Sequence, residues 1–178
     1  MPNLLQLDLD YNDMDQEHGR VLGEAIGGGA LPELEGLHIG ENGSLGDGDV
    51  VPIMAGLEGG GCRHLSKLNL AGVGMGPQGG HALARALASG HLSCLQRLYV
   101  YENGGIGDEA MAEVIKGLRG CHQLYELDVG DAGMRVMAGQ ALVQALQDKA
   151  WPNLEALAAS YNNKLLSDEE VVMGFAKV

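Results

Sequence analysis

One nine-residue pattern recurs six times along this chain, and it constrains the fold more than any other feature. It reads Leu4-Leu-Gln-Leu7-Asp-Leu9-Asp-Tyr-Asn12, Leu34-Glu-Gly-Leu37-His-Ile39-Gly-Glu-Asn42 and Leu65-Ser-Lys-Leu68-Asn-Leu70-Ala-Gly-Val73 in the first half. The second half repeats it as Leu95-Gln-Arg-Leu98-Tyr-Val100-Tyr-Glu-Asn103, Leu124-Tyr-Glu-Leu127-Asp-Val129-Gly-Asp-Ala132 and Leu154-Glu-Ala-Leu157-Ala-Ala159-Ser-Tyr-Asn162. The units begin near residues 4, 34, 65, 95, 124 and 154, so one period is about 30 residues. A unit that short cannot bury its own apolar face, and copies of it must stack.

Each unit opens on alternation and continues on a helical period. The alternating Leu, Ile and Val of the opening predict a short strand with one buried face. Further on, Val21, Leu22, Ala25 and Ile26 in unit one recur as Ala82, Leu83, Ala86 and Leu87 in unit three. They recur again as Ala141, Leu142, Ala145 and Leu146 in unit five, and as Val171, Val172, Phe175 and Ala176 in unit six. That spacing puts four apolar side chains on one helical face. Units two and four keep the face in a shifted frame, as Val51, Met54, Ala55, Leu57 and Met111, Val114, Ile115, Leu118. Gly46-Asp47, Gly107-Asp108 and Ser167-Asp168 read as the starts of their own helices, where a short polar side chain caps free amides and an acid meets the positive dipole end. The expectation is an α/β solenoid in which strand and helix alternate six times.

These motifs resemble the leucine-rich repeat, and the unit length with a full helix resembles its ribonuclease-inhibitor-like class. The resemblance runs from Leu4 to about Phe175 and implies a horseshoe segment, with a parallel concave sheet inside and helices on the convex side. Residues 1–178 then form a single leucine-rich repeat domain. Two departures stand out. The ninth-position Asn is kept at 12, 42, 103 and 162 but replaced by Val73 and Ala132, so a ladder of side-chain amides is interrupted twice. Neither end carries a recognisable polar cap, and Met1-Pro2-Asn3-Leu4 lines up with Trp151-Pro152-Asn153-Leu154. The chain reads as a fragment or part of a longer array, or as a subunit whose ends something else covers.

On such a sheet the fourth and sixth positions of the pattern face the core, while the third, fifth and seventh face the hollow and the eighth lies at the rim. The hollow and rim carry seven acids against two bases. All five Tyr fall in strand segments, four of them on this surface or its rim. Tyr supplies a large, stiff contact area with a polar end. Tyr99 and Tyr101 are therefore the expected central anchors of a partner-binding surface. Asp8, Asp10, Glu41, Glu102, Asp128 and Asp131 supply steering charge, and Tyr11, His38, Arg97 and Tyr161 complete the set. Six strands about 4.8 Å apart span on the order of 25 Å, a width suited to a protein epitope.

Charge decides the class of partner. Eleven Lys and Arg against 24 Asp and Glu leave a formal net charge of −13, which disfavours nucleic acid and anionic membranes and favours a protein with a basic surface. The opening residues lack a cationic segment followed by an apolar run, and no stretch approaches the length of a membrane span. Three Cys, an odd number, fit a reducing compartment better than a disulfide framework. The expected setting is intracellular, cytoplasmic or nuclear.

Several motifs invite chemistry and are explained more simply. Gly74-Met-Gly76-Pro-Gln-Gly79 matches a dinucleotide fingerprint, yet its glycines occupy the same strand-to-helix turn as Gly43, Gly46 and Gly48 or Gly104, Gly105 and Gly107. Cys62, Cys94 and Cys121 lie near His64 and His122 without metal-ligand spacing, and read as turn-filling thiols. Asn42-Gly43-Ser44 is a formal glycosylation acceptor whose Asn is expected to turn inward. No nucleophile, base and oxyanion site assemble, so no cofactor, no metal and no catalysis are expected. The function expected is a protein interaction module. The alternatives are a structural subunit of a multi-subunit assembly docked through its ends, or a regulator of a small GTPase resembling the Ran GTPase-activating proteins of this repeat class, with Arg97 or the ninth-position Asn as its working residues. Ribonuclease inhibition suits the acidity but needs more repeats than six.

Overall fold

A computed structural model of the chain describes residues 3–177. Met1 and Pro2, aligned above with Trp151 and Pro152, lie outside the described residues. The elements alternate as the repeat demands. Strand β1 (Gln6–Asp8) leads to α1 (Gln16–Gly27), β2 (Gly36–His38) to α2 (Asp47–Glu58), and β3 (Lys67–Asn69) to α3 (Pro77–Ala88). They continue as β4 (Arg97–Tyr99), α4 (Gly107–Leu118), β5 (Glu126–Asp128), α5 (Val136–Gln147), β6 (Ala156–Ala158), a 3-10 turn (Leu165–Ser167) and α6 (Glu169–Phe175). The six strands form one parallel sheet in chain order. Register joins Leu7, Leu37, Leu68, Leu98, Leu127 and Leu157 in a single row, so every unit stacks on the same residue of its pattern. Helices need about twice the spacing of strands, so a sheet on one side and helices on the other give a leucine-rich repeat solenoid with a concave sheet and convex helices.

The strands proper are three residues long. Of the five Tyr only Tyr99 lies within one; Tyr11, Tyr101 and Tyr161 follow a strand and Tyr125 precedes one. The ladder nevertheless continues beyond them, with the amides of Leu9 and Tyr11 donating to His38 and Gly40, and those of Val100 and Glu102 to Asp128 and Gly130.

Between sheet and helices runs one continuous apolar core. All four sequence-assigned positions of units three and four are buried. In unit two Met54 and Leu57 of the expected set are buried, but Val50 and Ile53 complete the buried face in place of Val51, which is half-buried, and Ala55, which is exposed. The end units also depart: Val21 and Val172 are exposed because no neighbour covers them. The chain has 29 Gly, a high share for its 178 residues, and part of that excess has a packing cause that the repeat pattern did not reveal. A Cβ on Gly23 would lie 2.5 Å from the Pro52 carbonyl carbon, and one on Gly117 2.6 Å from the Ala84 carbonyl oxygen. These glycines let successive helices approach backbone to backbone.

Polar bonds tie unit to unit. Asn42 donates to the carbonyls of Leu9, Ile39 and Gly40 and accepts from the amides of Asn12 and Met14. Asn162 does the same with the carbonyls of Val129, Ala159 and Ser160 and the amides of Ala132 and Met134, while Asn103 donates to Leu70, Val100 and Tyr101 and accepts from the Met75 amide alone. The Val73 and Ala132 side chains, both buried, are simply apolar rungs.

The helix starts differ from the sequence expectation. Asp15 and Asp168 do cap their own helices. Asp47 and Asp108 instead sit inside the first turns of α2 and α4 and reach across to the next unit. Asp47 accepts from the amides of Gly76, Gln78 and Gly79 at the start of α3. Asp108 accepts from those of Arg135, Met137 and Ala138 at the start of α5. α3 and α5 have no capping side chain of their own, and the preceding unit supplies one.

Candidate protein-binding surface

Alternation along β1 to β6 and the residues that follow them places the third-, fifth- and seventh-position side chains in the hollow. The central part of this surface is an interlocked cluster. Lys67 from β3 lies over the Tyr99 ring at 5.6 Å, and the Tyr99 hydroxyl donates to Glu126 Oε2 at 2.9 Å. Arg97 approaches the same carboxylate at 3.5 Å and lies over the Tyr125 ring at 5.4 Å. Register sets up these meetings: Lys67, Arg97 and Glu126 are neighbours in one row, and Tyr99 is in the adjacent row beside Asn69 and Asp128. Cations above aromatic faces and a charge-assisted hydrogen bond hold each side chain in one arrangement.

Tyr99 and Tyr101 are half-buried. Burial, followed by the bond to Glu126 and its charge, pushes the Tyr99 phenol up to about 12, with Arg97 opposing. Burial and the nearby Glu41, Tyr11, Glu102 and Asp128 push Tyr101 upward as well. Both phenols therefore remain protonated donors across the physiological range. Of the remaining sequence-assigned residues, Asp128 lies beside this cluster, with Oδ1 accepting from the Gly130 amide. Asp8, Asp10 and His38 group separately near the N-terminal end of the sheet.

The eighth positions form a rim with unusual backbone. Tyr11, Glu41, Glu102, Asp131 and Tyr161 all adopt positive φ, between 44° and 59°, and Gly72 completes the row at 60°. Left-handed backbone costs a residue with a Cβ on the order of 1 kcal/mol. Only unit three meets the turn with glycine; the other five hold a carboxylate or a phenol there. Tyr11 and Tyr161, at opposite ends of the row, are about four-fifths exposed.

The motifs that invited chemistry have structural occupants. In the Gly74 to Gly79 turn, the amides that would hold a phosphate in a dinucleotide site hold the Asp47 carboxylate. Cys62 and Cys121 are buried, with thiols directed at the carbonyls of Leu31 and Leu92, while Cys94 is half-exposed. Burial pushes Cys62 up to about 11 and Cys121 to about 12, so neither is a ready nucleophile or metal ligand. Asn42 is buried, as its inward turn requires. Among the described residues no helix is long and apolar enough to cross a membrane.

No protein-family model matches the sequence, and no curated protein does either. Among solved structures, the chain is similar in fold to the tropomodulin C-terminal domain of Caenorhabditis elegans. That likeness has a TM-score of 0.64 at 12% identity, and spans 92% of this chain and 90% of that one.

Proposed function

We propose that this chain is a non-catalytic protein interaction module of the ribonuclease-inhibitor-like leucine-rich repeat class, which grips its partner through the acidic, Tyr-bearing hollow and rim. The observation that carries the reading is the interlocked Lys67, Tyr99, Glu126, Arg97 and Tyr125 cluster. Side chains already fixed in the free molecule lose little freedom on binding, and aromatic and Arg groups are the usual anchors of interfaces. Tyr101 and the rim residues Tyr11, Glu41, Glu102, Asp131 and Tyr161 extend the contact. The acids, with Asp128, favour a basic partner and speed encounter more than they add affinity. Three free thiols suit an intracellular, cytoplasmic or nuclear setting.

The experiment is quantitative affinity capture from the native source with the intact chain and with Tyr99→Ala/Tyr101→Ala, after circular dichroism confirms equal folding. A specific partner recovered by the intact chain and depleted at least about tenfold by the double variant supports the reading. Equal recovery removes these residues from the interface.

A second reading, docking through the ends in a larger assembly, is favoured by the C-terminal unit. All of β6 is exposed, together with Leu157, Leu166, Val172 and Met173. A partner lost with Leu157→Asp/Val172→Asp but kept by the Tyr variant would select it. For the GTPase-regulating alternative, Arg97 is engaged with Glu126 and Tyr125 rather than standing free. Stimulated hydrolysis across a panel of small GTPases is its direct test.

A further inference from the structure

The N-terminal end of the hollow carries a cluster that the interface reading does not need. Asp8 ends β1 and pairs in register with His38, which ends β2; Asp10 lies two residues beyond Asp8 on the same face. One ligand atom from each of the three lies within 4.8 Å of the others. The side chains of His38 and Asp10 are only 15% and 21% exposed.

The surroundings hold these groups in place. Asp10 Oδ1 accepts from the Gly40 amide at 2.5 Å, and Oδ2 accepts from Asn69 Nδ2 at 3.0 Å. Asp8 Oδ1 accepts from the Asp10 amide at 3.1 Å. Where units three and four carry Lys67 and Arg97, unit two carries Gly36, and a Cβ there would overlap the Gln6 carboxamide. Where unit four carries Tyr101 it carries Gly40, and a Cβ there would lie 2.7 Å from Asn69 Nδ2. The imidazole thus stands in a hollow with carboxamides leaning in from both neighbouring strands. Among the described residues the one ionic neighbour of either carboxylate is His38 itself, 3.8 Å from Asp10.

We propose that Asp8, Asp10 and His38 bind a divalent first-row transition ion, with Zn²⁺ as the type case. Two carboxylate oxygens alone would suit Mg²⁺ or Ca²⁺, and the imidazole shifts the preference to borderline metals. Three protein ligands on one side leave the outer position to water. Ligand atoms around a tetrahedral ion with bonds near 2.0 Å stand about 3.3 Å apart. The exposed Asp8 side chain supplies the closing movement, since Asp10 is pinned twice. Asn69 acts as a positioning residue that orients Asp10 from behind.

The test is calorimetric titration of ZnCl₂ into the full chain in metal-free buffer, with Co²⁺ absorbance as a second probe. One ion per chain is expected. His38→Ala and Asp8→Asn should each weaken binding by at least about tenfold, and Asn69→Ala by about tenfold. The visible bands of four-coordinate Co²⁺ should appear with the intact chain and vanish with His38→Ala. His81→Ala, which removes the exposed His81 and Glu113 pair, should change nothing. Should His38→Ala fail to fold, the exposed Asp8→Asn gives the same reading. No saturable binding with a Kd below about 100 μM, a binding free energy of roughly −5.5 kcal/mol, would overturn the proposal, as would binding that survives both ligand variants or is lost with His81→Ala.

Discussion

Units three and four differ from units one and six in what surrounds them rather than in what they are made of. The same pattern Leu that is fully buried as Leu68 and Leu98 is 36% exposed as Leu157. Helix α3 buries Ala82, Leu83, Ala86 and Leu87, while the shorter α6 leaves Val172 and Met173 in the open. β3 and β4 have partners on both edges, and β1 and β6 on one. Repeat stability is therefore mostly a property of interfaces between units, and the centre of the array is its stiffest part. The Tyr99 cluster sits on that centre, where the partner surface proposed above would cost least to maintain.

Substitutions at equivalent positions should expose this difference, and the largest effect is expected in the core. Leu98→Ala should cost about 3 kcal/mol of unfolding free energy in urea, through lost burial and the cavity left behind. Leu157→Ala, the same change one end away, should cost less than about 1 kcal/mol. Similar losses at both sites would mean that the end unit is covered as fully as the centre.

The amide ladder gives a smaller contrast. Asn103→Ala should cost about 2 kcal/mol, since it strands the carbonyls of Leu70 and Val100 and the amide of Met75 away from water, while the Tyr101 carbonyl keeps the Gly72 amide. Asn12, exposed at the end, donates to Asp10 of its own unit, and Asn12→Ala should stay within about 0.5 kcal/mol. The same denaturation curves read both.

Asp49 is a buried residue whose removal should raise stability rather than lower it. It is 2% exposed, with Oδ1 lacking a hydrogen-bond partner, in the first turn of α2 and against Gly19 of α1. In unit four the equivalent residue is Ala110, equally buried. Burial, with a smaller contribution from Asp15, raises the Asp49 carboxyl above its ordinary range. An acid whose folded pKa is raised binds more protons folded than unfolded, so its charged form costs stability above that pKa. The cost fades as pH falls through the folded pKa and then through the ordinary carboxylate value. Asp49→Ala should therefore stabilise the protein by roughly 1 kcal/mol at neutral pH and by progressively less in acid. A destabilised variant, or a gain independent of pH, would remove the carboxylate's burial as the cause.

Much of the fold was legible because stacking copies a sequence period directly into space. The pattern Leu at 7, 37, 68, 98, 127 and 157 became one register row, and the position-by-position division into core, hollow and rim followed from strand alternation. What the period hid was contact between units. A helix start reads as a local signal, yet Asp47 and Asp108 cap the following helices because α3 and α5 begin with Gly76-Pro77 and Arg135-Val136, which offer no short polar side chain. The shifted frame in unit two held at Met54 and Leu57 and failed at Val51 and Ala55, where the structure buries Val50 and Ile53 instead. Placement of Tyr99 and Tyr101 in the hollow was readable from alternation. Their half-buried state was not, because it depends on side chains from other units: Lys67 and Glu126, 32 and 27 residues away, at Tyr99, and Glu41, Tyr11 and Asp128 near Tyr101. The Asp8, Asp10 and His38 cluster was within reach of the aligned repeats, where Asp8 and His38 share the fifth position.

Hydrogen exchange of the free protein and of its complex with the captured partner locates the interface on the solenoid. Slow exchange is expected in the free protein through units three and four, with further slowing on binding confined to residues 97–102 and 125–131. Slowing confined to residues 154–175, with the central strands unchanged, would move the interface to the C-terminal end and away from the Tyr99 cluster.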